Sequence, residues 1–499
     1  MFETELKFQV PPLQRAALQR AVATATARTT RLQAVYADTA DRRLAAAGLA
    51  LRLRKEGRIW LQTLKGRGDG LMQRLEHEVR LPVRAGIPAL DATRHAGTAI
   101  GQRLLALLAD GVALQPVYRT DIRRLHRQLR HGGALIELAY DRGQILAGDR
   151  QLEVDEIEFE LIRGPGAALV DLSTRWSGRF GLWWDLRSKS ERGHRLALDL
   201  DPVPPTQAVA VDLPAAASPG QALAMWLAGA LQHALPNAAE IASGTAQPEH
   251  LHQLRAALRR MRSVLRVFAS LAADPEVALA LEADWREPFA RLGVARDQDV
   301  LSKSLVPMLN AALQAAGAPA LPALPPDAGQ APAVVVREAA FTALLLRSLA
   351  LCAAPPAARA GETSASLARS VAAAVRPLWR QVRRGAADFE GADAEARHRL
   401  RKRIKRLRDA LACVQPLLRR KAGTALMRRL ARSLKCLGDL NDLQVAQVRY
   451  AELAQRDPQA WFAVGYLVAR QHLAVDRAGA ALARLRRARI SWRAEAALA

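Results

Sequence analysis

Glu156, Glu158 and Glu160 stand two residues apart, and Glu3, Glu5 and Lys7 repeat that spacing near the start of the chain. Alternate residues of a strand share a face, so each triplet projects from one side. Carboxylates packed this closely repel one another unless cations lie among them. Hard divalent ions such as Mg²⁺ are held by a few carboxylates together with phosphate oxygens. Basic residues follow the same alternation. Arg52 and Arg54 stand opposite Leu49, Leu51 and Leu53; Lys65 closes the run that starts at Arg58; Arg74, Glu76, Glu78 and Arg80 share one side. Rows of guanidinium and ammonium groups suit condensed phosphate. An antiparallel sheet wetted on one face also alternates, but such a face ordinarily mixes in Ser, Thr and Gln rather than carboxylate triplets.

Holding these groups requires strands at 2–8, 49–54, 58–65, 74–80 and 156–161, with two more at 118–129 and 134–141. If about eight strands close, a barrel lined by both charges encloses a small extended ligand. The composition changes near residue 200, where short alternating segments give way to long Ala/Leu/Arg stretches of helical period. Proline- and glycine-rich sequence at 201–205 and 214–220 marks the join. The expected division is a strand-rich domain at 1–203, a linker at 204–218, and a helical domain at 219–499 in two repeats of about 219–315 and 333–499. Loops are expected at 316–332 and 355–363.

The helical half repeats itself. His252, Arg255, Arg259 and Arg262 recur as His398, Arg401, Lys405 and Arg408, and each set is followed by a Gly-x-x-polar-Asp signal at Gly293 and Gly438. Positions i, i+3, i+7 and i+10 of a helix fall within roughly 80°. Each set is therefore one basic stripe, with Leu251, Leu254, Leu258 and Leu265 available for the buried side of the first. A solvated face explains most charge runs, but few acidic residues lie at i+4 to offset this one. Carrying such a stripe twice points to a shared anionic ligand. Asp297, Asp299 and Asp442 read as helix caps or ion-pair partners.

Across 499 residues, 73 Lys and Arg face 48 Asp and Glu, a formal +25, so the default partner is a polyanion. Aromatic residues are only 5% of the chain, whereas binders of single-stranded nucleic acid stack bases on aromatic rings. That favours a phosphate polymer without bases over nucleic acid. Cys352, Cys413 and Cys436 are scattered, which excludes a disulfide framework and a thiolate zinc site. The apolar run 222–231 is about half the roughly twenty residues a membrane span needs, and the N-terminus carries no export pattern. A soluble cytoplasmic protein is the expectation.

The ordered set Glu3-x-Glu5-x-Lys7, Tyr36-Ala-Asp38-Thr39-Ala-Asp41, Arg52-Leu-Arg54, Thr63-Leu-Lys65, Arg74-x-Glu76-x-Glu78, Glu156-x-Glu158-x-Glu160 and Lys189-Ser190 resembles the CYTH family of triphosphate tunnel metalloenzymes over residues 1–200. That resemblance implies an eight-stranded antiparallel β barrel with flanking helices, enclosing a charged tunnel. It implies cleavage of inorganic triphosphate to pyrophosphate and phosphate with Mg²⁺ or Mn²⁺, thiamine triphosphate and nucleoside triphosphates being alternative substrates. Metal ligands would be Glu3, Glu5, Glu156, Glu158 and Glu160; triphosphate would meet Arg52, Arg54, Lys65, Arg74, Arg119 and Lys189. Lys7 and Glu5 would be catalytic, Lys7 as a base or a phosphate ligand. Residues 219–499 resemble the CHAD domain, implying an all-α pair of helical bundles and inorganic polyphosphate held by His252, Arg255, Arg259, Arg262, His398, Arg401, Lys405 and Arg408. Asp409 and Ala412 depart from that pattern, in which an aromatic and an acidic residue are usual. A location on polyphosphate granules would follow, and a non-catalytic polyphosphate binder is the competing reading.

Overall fold

The computed structural model describes residues 2–68, 71–82, 87–200, 203–214, 217–300, 305–315, 317, 319–321, 324, 330–353 and 364–493, without the side chains of residues 2, 67, 294–300 and 364–366. The expected loop at 355–363 and the side chains of Asp297 and Asp299 lie outside these. The chain forms two compact units. The first comprises Met1–Pro205, Leu235–Gln247 and Val336–Ala353; the second comprises Thr206–Ala234, Pro248–Val335 and Ala354–Ala499.

In the first unit nine strands form one antiparallel sheet: β1 (Phe2–Gln9), β2 (Arg28–Asp38), β3 (Leu49–Glu56), β4 (Ile59–Arg67), β5 (Gln73–Leu81), β6 (Gln115–His131), β7 (Ala134–Ala147), β8 (Arg150–Arg163) and β9 (Trp183–Trp184). The order is β5-β4-β3-β2-β6-β7-β8-β1, and β1 also pairs with β5, which closes an eight-stranded barrel. One edge of β1 is thus shared, with β5 taking Phe2 to Thr4 and β9 taking Phe8 and Gln9. The strands expected from charge alternation all form. β2 was not foreseen, because its inward residues Leu32, Ala34 and Tyr36 are apolar and carry no charge pattern. Gly132 and Gly133, at φ 52° and 77°, turn β6 into β7, the left-handed pair that two-residue hairpin loops favour.

Helices α1 (Arg15–Val22), α2 (Arg43–Ala46), α3 (Ala99–Leu107), α4 (Gly166–Phe180) and α5 (Lys189–Leu198) flank the barrel. The outward leucines of β3 and β4, Leu49, Leu51 and Leu64, bury against Leu44, Ile100 and Leu104 of α2 and α3. On the other side Phe8 and Phe159 meet edge-to-face, and Phe159 packs on Trp176 of α4. Inward residues are not all charged. Leu32, Tyr36, Tyr118, Ile122 and Val154 form an apolar cluster on which Leu196 and Ala197 of α5 pack. Gly193 allows this approach, since a Cβ there would stand 2.4 Å from the Tyr118 ring.

The remaining elements are helices: α6 (Pro219–Ser243), α7 (Pro248–Val267), α8 (Pro275–Asp284), α9 (Arg286–Val300), α10 (Val306–Ala315), α11 (Pro332–Arg337), α12 (Ala339–Ala353), α13 (Ser364–Ala387), α14 (Ala394–Cys413), α15 (Arg420–Ala454) and α16 (Ala460–Arg486). α12 and the end of α6 belong to the first unit, where α12 packs on α4. In the second unit α7 buries Leu251, Leu254, Leu258 and Leu265, the side its periodicity assigns, and packs against α14. No helix among the described residues is long and apolar enough to cross a membrane.

Candidate active site and basic cluster

Strand register decides which side chains line the barrel. Glu5, Lys7 and Gln9 of β1 pair with Glu160, Glu158 and Glu156 of β8. Glu160, Glu158 and Glu156 pair in turn with Glu137, Ala139 and Asp141 of β7, and Asp141 with Arg124 of β6. From the other direction Glu3 pairs with Arg74, Lys65 with Glu76, and Arg52 with Thr63. Because the period is two, all of these share the inner face.

One group of carboxylates is already neutralised. Oxygens of Asp141, Glu156 and Glu158 lie within 4.8 Å of one another. The Lys189 ammonium sits among them, 2.7 Å from Asp141 and 2.8 Å from Glu158, and also contacts Glu156. Arg124 bonds Asp141 through Nε and Nη2, each at 2.7 Å, and reaches Glu158 at 2.5 Å; Arg192 bonds Glu156. Burial alone would discharge Lys189, yet the three carboxylates hold its pKa well above the ordinary lysine value. Burial likewise opposes ionisation of Glu156, but Arg192, Lys189 and Lys7 bring its pKa down to about 2. Glu156 and Glu158, expected among the metal ligands, are thus paired with the protein's own cations.

A second group is richer in acid. Lys65 Nζ bridges Glu3 at 3.1 Å and Glu76 at 2.7 Å, and Arg74 Nε meets Glu5 at 2.7 Å. Glu137 and Glu160 adjoin them across β7 and β8, so five carboxylates face Lys65, Arg74 and the nearby Arg52. Burial pushes Glu3 up to about 9, and a hydrogen bond to Glu76 helps it keep its proton. Glu76, half-buried, is drawn down to about 2 by Lys65 and by Glu3's proton against the opposing effect of desolvation. Glu160 is raised by burial and by Glu137. An all-oxygen donor set in which burial inclines two carboxyls, Glu3 and Glu160, to keep their protons fits a hard divalent ion.

Lys7 lies beside both groups, 4% exposed. Its Nζ donates to the carbonyl of Arg187. Burial lowers its pKa to about 8, partly restored by Glu156 and lowered further by Arg192 and Arg74. Arg52 donates to the Tyr36 hydroxyl at 3.0 Å, while its buried Nε has no hydrogen-bond partner, leaving a donor for an anion. Arg54 pairs with Glu56 at 2.7 Å and Glu78 at 2.9 Å.

The inner face therefore brings together Glu3, Glu5, Lys7, Arg52, Arg54, Lys65, Arg74, Glu156, Glu158, Glu160 and Lys189. Arg119 does not join them: it is exposed, on the outer face of β6 opposite Thr120 and Ile122. The arginine that β6 sends inward is Arg124. Sequence reading also passed over Asp141 and Arg192. Arg192 had a visible signal, one helical turn after Lys189; Arg124 and Asp141 required the register.

In the second unit the two repeats converge. Arg255 and Arg259 of α7 and Arg401 and Arg408 of α14 are electrostatic neighbours of Lys405, whose pKa burial and these four arginines push down to about 7. Asp409, the residue that departs from the CHAD pattern, accepts from Arg259 at 3.0 Å and from Arg408 at 2.9 Å. Arg255 donates to the Phe289 carbonyl at 2.8 Å and lies over its ring. Arg262 is turned to Glu282 at 2.7 Å, which Arg266 and Arg286 also approach at 3.3 Å. His398 Nδ1 lies 3.2 Å from Asn441 Oδ1, and His252 sits half-buried on α7. The repeated glycines have matching surroundings. A Cβ on Gly293 would meet Arg255 Nη1 at 2.9 Å, and one on Gly438 would meet Arg401 Nη2 at 3.8 Å.

The CYTH domain family model matches residues 1–176, and the CHAD domain model matches residues 226–451. An inorganic triphosphatase of Haemophilus influenzae is 29% identical over 169 residues, 32% of this chain and 44% of that protein. The chain thus aligns with less than half of that relative's length. The crystal structure of the CHAD domain from the plant Ricinus communis is 32% identical, covering 57% of this chain and 99% of that one, at a TM-score of 0.44. A Hippeastrum protein described as having a dominant triphosphatase activity is 18% identical, covering 36% of this chain and 89% of that one, at a TM-score of 0.27. Residues 1–176 are thus a CYTH domain and residues 226–451 a CHAD domain.

Proposed function

We propose that the first domain hydrolyses inorganic triphosphate to pyrophosphate and phosphate inside the barrel, and that the second binds inorganic polyphosphate. The observation that carries the first reading is the closed inner face, on which a charge-balanced group and an acid-rich group stand side by side. The Haemophilus relative's activity agrees with it. Glu3, Glu5 and Glu160, with Glu76 and Glu137 beside them, would hold Mg²⁺ or Mn²⁺. When bound, the ion supplies charge neutralisation to the triphosphate oxygens. Arg52, Arg54, Lys65 and Arg74 can exchange or extend their contacts with carboxylates and hydroxyls to grip those oxygens. Lys7, with its depressed pKa, takes a proton from the attacking water as its oxygen bonds the terminal phosphorus and the bond to the pyrophosphate oxygen breaks. Positioning and charge neutralisation supply most of the rate.

For the second domain, the support is Lys405 among four arginines drawn from both repeats, with Asp409 as a shared carboxylate. We take the domains as 1–203 and 219–499 joined by 204–218. The test is phosphate release from triphosphate by wild type and Glu5→Ala with Mg²⁺ or Mn²⁺. Wild-type turnover lost in the variant is expected; equal rates remove the site.

A further inference from the structure

Between β9 and α5 the chain arches over β1, and this short strap meets the inner face with its backbone. The Arg187 carbonyl accepts from Lys7 Nζ, and the Leu186 carbonyl accepts from Arg74 at 3.2 Å. The buried Asp185 carboxylate accepts from Gln9 at 3.1 Å. The strap therefore sets where Lys7 and Arg74 point. Its own position is held from behind. The Arg187 side chain forks onto Asp185 with contacts of 3.0 and 2.9 Å and extends Nη1 to Glu240 at 3.4 Å. Glu240 is 5% exposed. Its other oxygen accepts from the Thr245 hydroxyl at 2.7 Å, and its carbonyl accepts from Ser243 Oγ at 2.9 Å.

Glu240 belongs to α6. It lies within the stretch matched by the CHAD model, yet packs in the first unit with Arg187. A buried carboxylate is retained against its desolvation cost only where a partner holds it, and the Arg187 guanidinium is that partner. Asp185 satisfies two of that guanidinium's nitrogens, and Glu240 takes the third and ties the side chain to α6. We propose that Glu240 is a positioning residue for the reaction in the barrel, acting through Arg187 on the carbonyl that orients Lys7. The proposal rests on the triphosphatase reading of that site.

The experiment is a double-mutant cycle in the full-length protein. Glu240→Gln, which keeps the shape and removes the charge, should lower kcat about tenfold with KM within twofold of wild type, and Glu240→Asp should recover part of the loss. In a Lys7→Ala background Glu240→Gln should have no further effect, because the group it orients is gone. Effects that multiply, or an unchanged kcat in Glu240→Gln, overturn the proposal. Coupling is also read without turnover, by mass-spectrometric labelling of lysines with an amine-acylating reagent. Glu240→Gln should speed labelling of Lys7 several-fold and leave exposed Lys55 unchanged; equal Lys7 labelling in both proteins counts against the proposal. A wild type that hydrolyses no triphosphate, but whose Lys7 labelling responds to Glu240→Gln, sinks the reading of the site and leaves the coupling standing.

Discussion

Lys7 and Lys189 show how one residue type takes two roles from its surroundings. Lys7 is buried and Lys189 largely so, but Lys189 has three carboxylates and Lys7 donates to a carbonyl, so the first keeps its proton and the second can release it. If Lys7 is the base, only its neutral amine works. With a pKa near 8, kcat/KM should fall tenfold per unit below that pH and level off above it. Lys7→Ala should lose that dependence and about 10²–10⁴-fold in rate; a flat wild-type profile between pH 6 and 9 would discard the role. Lys189→Met should cost about 3–5 kcal/mol at pH 7, since three clustered carboxylates then have only Arg124 and Arg192 to neutralise them. Glu156, whose folded pKa is depressed, adds stability above the ordinary carboxylate pKa, lost only as pH falls toward about 2. Without Lys189 that pKa rises, so the deficit should shrink on acidification to pH 4–5, as denaturant titrations at both pH values would reveal.

At the scale of elements, α5 brings Lys189 and Arg192 to the inner face, and Gly193 sets how close it comes. Gly193→Ala should force the helix off the Tyr118 ring, lowering stability by about 1–3 kcal/mol and reducing turnover together. Gly178→Ala, on α4 with nothing within 4 Å of its added Cβ, should be neutral or slightly stabilising; equal losses in both would argue against a steric role for Gly193. Alternating charge made five strands legible in the sequence, and two more were expected beside them. It could not reveal β2, which faces inward with Leu32, Ala34 and Tyr36, nor choose between Arg119 and Arg124 five positions apart on β6. Parity along a single strand is visible in sequence; which parity faces inward is set by partners such as Asp141, known only once the register is known. The helical stripes fared better, because Leu251, Leu254, Leu258 and Leu265 fix the orientation of α7 on their own.

At the scale of the whole molecule, two sites of related chemistry lie in separate units. If polyphosphate binds the second, it should restore the proton that Lys405 loses near pH 7. Affinity should then fall as pH rises above 7, by at most tenfold per unit, with proton uptake measurable by calorimetry in buffers of different ionisation enthalpy. Lys405→Ala should bind more weakly and lose the pH dependence; binding by wild type that is indifferent to pH from 7 to 9 would reject this. β1 carries a different consequence. Of the nine strands it is synthesised before the others, yet its neighbours β5, β8 and β9 are encoded far downstream, Phe8 pairing with Trp184. At ordinary rates of translation that partner emerges roughly ten to thirty seconds later. Through that interval a short strand bearing Leu6 and Phe8 is an open template, so nascent chains should be most exposed to mispairing and chaperone capture before the ring can shut.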